Sequence, residues 1–211
     1  MQARRSGYPD GKQREVDLAI PRKYTKSVVA PLPTDTEIRA VVGDSYDPDR
    51  ALNVIKMMAG TEDMYPALVG MVHAIFGTPT IDDKHREMII LRSAAILDVP
   101  YEWQANEIMA RNAGLSSEEI EAVAADGPVE GVDPEYVLIC AATDELLRSG
   151  TLTDTTLRAM LDMFGNTATR KYVATIAWFS LLSLFLNGTR VPLETTDKIG
   201  DRTSPLPRGS T

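Results

Sequence analysis

Apolar and polar positions recur with helical spacing over most of the chain, and capping and stop signals cut this pattern into short segments. Residues 1–46 show no sustained period, and Pro9, Pro21, Pro31 and Pro33 break any long helix there, so an extended arm with a short helix over Thr34 to Val42 is predicted. Asp47-Pro48 sets a capping side chain before a proline, which predicts a helix to Ala59, closed by Gly60. Thr61 opens the next helix, to Gly77. A central pair follows, Asp82 to Leu97 and Pro100 to Ala113, with Gly114 as the stop. Ser116 and Glu119 form a capping box for a helix to Ala125, Asp133-Pro134 starts one to Arg148, Thr153 caps one to Phe164, and Asn166 begins the longest, to Asn187. No stretch alternates strictly, so strand content should be very small. The expected fold is all-α and single-domain: a basic arm at 1–46, a helical domain at 47–194 and a polar tail at 195–211.

The central pair departs from a simple amphipathic pattern. At about 100° per residue, Glu87 falls between Leu91 and Ala94 on a helix that is apolar almost all round, so its carboxyl points at packed surface. On the next helix Glu102, Asn106, Met109 and Ala113 share a face with Ala105, while Gln104, Glu107 and Arg111 share the polar one. Small residues beside a carboxyl and a carboxamide make a plausible pocket lining. Glu102 stands in the first helical turn, where the dipole lowers a carboxyl pKa by an effect of about 0.3–1 kcal/mol; closure of the face raises it by more, and a nearby Glu87 raises it further.

Charge narrows the function. The chain carries a net charge of -8, but residues 1–30 are at +4 and the rest at -12. An acidic body argues against nucleic acid as a partner. A single cysteine, Cys140, excludes an intramolecular disulfide and any Cys-x-x-Cys chemistry. The opening residues lack a secretory apolar run, and the apolar run Tyr172 to Leu186 is shorter than the roughly 20 residues that span a bilayer, which points to a cytoplasmic protein with no membrane partner.

Arg86-Glu87 followed by Met88 to Leu91 and Arg92, then Tyr101-Glu102-Trp103, Ala113-Gly114-Leu115 and Leu186-Asn187 with Val191-Pro192-Leu193-Glu194, resemble the carboxymuconolactone decarboxylase family, which includes the alkylhydroperoxidase D-like proteins. The likeness spans roughly residues 50 to 194. It implies a helical bundle of the alkylhydroperoxidase D-like type, assembled as a trimer or hexamer, with a small-molecule site near a subunit interface. Peroxidase members carry a Glu, then the two Cys of a Cys-x-x-Cys, then a His, at spacings that fall here on Glu87, Val99, Glu102 and Asn106. Without a thiolate at those positions no thiol peroxidase activity is expected. Decarboxylase-like members often have His where this chain has Asn106, and Asn exchanges no proton near neutral pH.

The resemblance and the residues together suggest a lyase that needs no cofactor, transferring protons on a small cyclic or aromatic-derived acid or lactone. Glu102 is the candidate acid/base, with Glu87 and His85 as further catalytic candidates. Tyr101, Trp103, Asn106 and His73 are candidate substrate-binding residues, although each has a plain packing alternative, and a structural ion pair of Glu87 with Arg92 or another arginine is equally open. No ligand spacing supports a metal. The alternative from another class is a non-catalytic, oligomeric small-molecule-binding protein that has lost the family's histidine.

Overall fold

The computed structural model describes residues 28–206, and the N-terminal arm up to residue 27 and the last five residues lie outside that range. Among the described residues there are eight α-helices and no strand: α1 (Asp35–Val42), α2 (Asn53–Ala59), α3 (Tyr65–Gly77), α4 (Asp83–Leu97), α5 (Pro100–Ala113), α6 (Ser117–Val123), α7 (Pro134–Ser149) and α8 (Asp154–Thr189).

Helix α4 is the hub because it has no polar side to turn outward. Arg86 to Ala95 are all buried, and α5, α7, α8 and α6 pack around them. Arg92 survives in that core because its whole guanidinium is matched: Nε and Nη2 donate to Asp144 (2.8 Å each), and Nη1 and Nη2 donate to the carbonyls of Val123, Ala125 and Gly127 at 2.6–3.0 Å. This fork pins α7 and the end of α6 to the hub. Glu87 therefore pairs not with Arg92 but with its own neighbour, Arg86, at 3.4 Å.

The turn between α4 and α5 uses Asp98 in the left-handed region (φ 52°) and Pro100 at the first position of α5, while the Asn187 side chain donates to the Leu97 carbonyl at 2.9 Å. Helix α8 is bent at Gly165 (φ 75°), where the stop between Phe164 and Asn166 is expected, and Thr169 Oγ1 closes the bend by donating to the Met160 and Gly165 carbonyls.

Two local expectations fail. Asp47-Pro48 opens a turn rather than a helix: the Arg50 and Ala51 amides donate to the Asp47 carbonyl, and α2 starts only at Asn53. Its first amide is capped from far along the chain, by Glu194 Oε1. Thr61 makes no side-chain cap; its hydroxyl donates back to the Met58 carbonyl, and a 3-10 turn at Glu62–Met64 intervenes before α3. The tail also behaves differently from a free polar extension. Ile199 and Leu206 are buried, Asn112 Nδ2 donates to the Gly200 and Arg202 carbonyls (2.9 Å each), and Arg86 Nη2 donates to Thr203 O. Two apolar side chains and these donors are enough to dock residues 198–206 on α4 and α5.

Candidate functional site

The inward face of α5 meets α2, α3 and α8 around a cavity of about 30 Å³, lined on the α5 side by Tyr101, Glu102, Ala105, Asn106 and Met109. Of the residues expected to share one face, Glu102, Ala105, Asn106 and Met109 do line it together, because a helix presents i, i+3, i+4 and i+7 on one side, and Ala113 lies beyond the cavity. The remaining walls are apolar and come from α2, α3 and α8, and Pro205 of the docked tail completes them.

Glu102 is 1% exposed. Its Oε2 accepts a short hydrogen bond from Ser183 Oγ, while Oε1 has no hydrogen-bond partner among the described residues. Burial raises the carboxyl to about 8; the Ser183 bond opposes this and the like charge of Glu87 adds to it. The first-turn dipole of α5 does not hold the group down, since desolvation of a fully enclosed carboxyl outweighs it. Glu102 is therefore mostly protonated at neutral pH and still able to ionise.

Glu87 is fully buried and is likewise raised to about 8, by burial first, with Arg86 opposing. Its Oε2 is also without a hydrogen-bond partner. Glu87 does not line the cavity; it stands close enough to Glu102 to repel its charge, so the two carboxyls resist ionising together. Arg86 stacks on Phe76 with its Cζ 4.1 Å from the ring centroid, and Phe76 is a cavity wall.

The other sequence candidates fall into different places. Asn106 lines the cavity, and its Nδ2 donates one hydrogen to the Glu102 carbonyl at 2.8 Å, leaving the second hydrogen available. Tyr101 lines the cavity with its ring, but its hydroxyl donates to Glu194 Oε1 (2.6 Å) and accepts from the Val54 amide (3.0 Å). Its proton is thus engaged in holding α2, and only its ring faces the cavity. Trp103 is buried in the core and does not line the cavity. His73 is exposed on the outer side of α3, since its neighbours Val72 and Phe76 take the inward face. Neither lines this cavity.

His85 belongs to a separate cluster. Its Nδ1 lies 2.7 Å from Tyr172 Oη and its Nε2 3.2 Å from Glu135 Oε2, among the rings of Tyr136, Phe164 and Tyr172. Desolvation lowers its pKa, against the pull of Glu135, Asp82 and Asp133. It ties α4 to α7 and α8 and is not part of the cavity wall. Cys140 is fully enclosed, and burial pushes its thiol up to about 12. Among the described residues no group of three or more His, Cys, Asp or Glu is placed to hold a metal.

Sequence reasoning missed three contributors. Ser183 carried a signal, being one of few hydroxyls in an apolar run, but no pattern says that it faces Glu102. Glu194 and Pro205 reach the site only because the chain after α8 folds back.

Residues 62–144 match the carboxymuconolactone decarboxylase family. The match begins before α3 and ends in α7, so it includes Glu87, Glu102 and Asn106 and leaves out Ser183, Glu194 and Pro205. None of the curated proteins matches the chain.

Proposed function

We propose that this protein, similar over residues 62–144 to the carboxymuconolactone decarboxylase family, is a cofactor-free proton-transfer enzyme of the lyase type, acting on a small molecule at a carbon next to a carbonyl group. The observation that carries this reading is Glu102: a carboxyl raised to about 8 by burial, with one oxygen fixed by Ser183 and the other unpartnered at an apolar cavity. A group with that value is present in both protonation states near neutral pH, the condition under which one residue serves as acid and base.

The ionised form takes a proton from the carbon next to the carbonyl, and the C–H electron pair becomes part of an enolate. The free N–H of Asn106 donates to the enolate oxygen. Glu102 then delivers the proton to another carbon of the enolate or to its opposite face, so that a double bond moves or a stereocentre inverts. In the family's namesake reaction the same enolate forms when a carboxylate leaves as carbon dioxide, and Glu102 would supply the proton that replaces it. Glu87 acts behind Glu102, its negative charge when ionised keeping the Glu102 proton in place. Ser183 is a positioning residue.

The test is turnover of a panel of lactones and cyclic carbonyl compounds, followed by absorbance and by exchange of the α-hydrogen for deuterium. Glu102→Gln keeps the shape and removes the proton, so it should lower turnover by a factor on the order of 100 or more with the fold intact. Ser183→Ala should cost less and shift the acid limb of the pH profile upward. Full activity in Glu102→Gln contradicts the assignment. A bound but unconverted ligand in the parent protein supports the alternative, a binding protein.

A further inference from the structure

At about 30 Å³ the cavity beside Glu102 has room for about one water molecule, and Pro205 forms part of its wall. Pro205 belongs to the stretch 195–206 that follows α8 and carries no helix or strand. How this stretch is attached decides whether the cavity can open.

Its near end is fixed. The Glu194 amide donates to Gln104 Oε1 (2.9 Å), Gln104 Nε2 donates to the Glu194 carbonyl (3.2 Å), and the Glu194 carboxylate accepts from Tyr101 Oη and the Asn53 amide. Thr195, Thr196 and Asp197 are then exposed. Beyond them the chain bonds to itself: the Ile199 and Gly200 amides donate to Asp197 Oδ1, the Arg202 amide to the Ile199 carbonyl and the Leu206 amide to Ser204 Oγ. Among the described residues no backbone-to-backbone bond ties 195–206 to the helices. The body grips this folded unit by side chains that reach its carbonyls, Asn112 to Gly200 and Arg202 (2.9 Å each) and Arg86 to Thr203 (3.3 Å), and by the buried Ile199 and Leu206. Lys198 and Arg202 reach the other way, to the Ala51 and Arg50 carbonyls. A unit held in this manner can lift without breaking a backbone ladder.

The docked position also carries a cost. Arg202 gives Nε to the Ile199 carbonyl and Nη2 to the Arg50 carbonyl, whereas Nη1 is buried without a hydrogen-bond partner among the described residues. A buried unmatched donor opposes docking, and water satisfies it once the unit lifts. Arg86 connects the unit to the site, since the guanidinium that holds Thr203 also meets Glu87 and lies on Phe76, another cavity wall.

We propose that residues 195–206 form a strap that gates the cavity. Docked, it shields Glu102; lifted about Thr195–Asp197, it uncovers the inward face of α5 for a molecule larger than the closed cavity holds. As a step in turnover the gate rests on the proton-transfer reading above, but as a local opening it is tested without turnover.

The probe is dicyclohexylcarbodiimide, a neutral apolar reagent much larger than the closed cavity, which adds to protonated carboxyls. The full chain is treated at pH 7 and the adduct on Glu102 is followed by peptide mass spectrometry. The parent should label slowly. Asn112→Ala removes two hydrogen bonds to the strap from an exposed residue outside the cavity wall, and should speed labelling about 10-fold or more. Leu206→Ala should act in the same direction by shrinking a buried anchor. Cys140, enclosed on α7, reports general opening of the core through its rate with a thiol reagent, and that rate should stay constant. A faster Glu102 rate in either variant at constant Cys140 rate supports the gate. Equal Glu102 rates in the parent and both variants, a Cys140 rate that rises in step, or no Glu102 adduct in any of the three proteins overturns it. The proton-transfer reading fails separately, when Glu102→Gln retains turnover.

Discussion

At the scale of single residues, Glu87 and Glu102 make stability depend on pH in a definite direction. Both carboxyls are raised by burial to about 8 from an ordinary value of 4.5. The folded protein therefore binds more protons than the unfolded chain between those values, and stability drains away as pH rises from about 4.5 through about 8. His85 acts in the opposite sense: desolvation depresses it, so its contribution is complete above its usual value of 6.5 and is lost as pH falls. Urea unfolding across pH 4.5–9 separates the two. Glu102→Gln should flatten the loss toward high pH, whereas His85→Gln should flatten only the loss toward low pH. An unchanged alkaline limb in Glu102→Gln would mean that Glu102 is ionised in the folded state. The burial behind this was legible in outline, since Glu87 lies between Leu91 and Ala94 and Glu102 between Met109 and Ala113 on their wheels. The roles of Tyr101 and Trp103 were not, because helical phase says which way a side chain leaves its helix and nothing about what its hydroxyl or indole meets.

Among elements, the α4 clamp decides how α6 and α7 attach. Arg92 offers a planar fork that reaches Asp144 and three carbonyls at once, and a lysine ammonium presents its donors from one point. Arg92→Lys keeps the charge but should leave at least one buried carbonyl without a donor, destabilising the fold by about 1–3 kcal/mol. Chemical denaturation measures this; a loss below about 1 kcal/mol, the range of exposed pairs, would contradict the clamp. Helix limits were readable wherever the stop is local, as with Gly114, the Ser116–Glu119 box and the Gly165 bend. They were misread at Asp47-Pro48, where Glu194 caps α2 and no pattern within residues 47–60 encodes a residue so far away, and at Thr61, whose hydroxyl turns back to the Met58 carbonyl instead of capping forward.

For the molecule as a whole, the outer surface of α8 stands out. From Tyr172 to Thr189 the helix carries no charge, and Ala174, Ala177, Leu181 and Leu184 are exposed along one side, Leu184 at 64%. Those four positions repeat at alternating three- and four-residue steps, the spacing by which one helix seam packs on another. Helix α3, equally apolar, buries only Tyr65, Val72 and Ile75. We propose that copies of the chain cover these faces and that the protein is at least a trimer. Sedimentation should then give a multiple of the 23.1 kDa chain mass, and the double variant Leu181→Glu, Leu184→Glu should reduce it to one chain. A stable single chain at micromolar concentration in the parent protein would contradict this. The all-helical architecture itself was legible from periodicity. The closing of the cavity by Pro205 was not, because residues 195–206 read as polar and only Ile199 and Leu206 mark the places where they dock.

All of the functional reading depends on one proton, the one held by Glu102. Infrared difference spectroscopy of the intact protein between pH 6 and pH 10 observes it directly, through the carbonyl stretch of a protonated carboxyl. The expected result is a band present at neutral pH that disappears with a midpoint near 8, and whose amplitude falls in Glu102→Gln. A carboxyl signal that is already fully ionised at pH 6, or a spectrum unchanged by Glu102→Gln, would contradict the account.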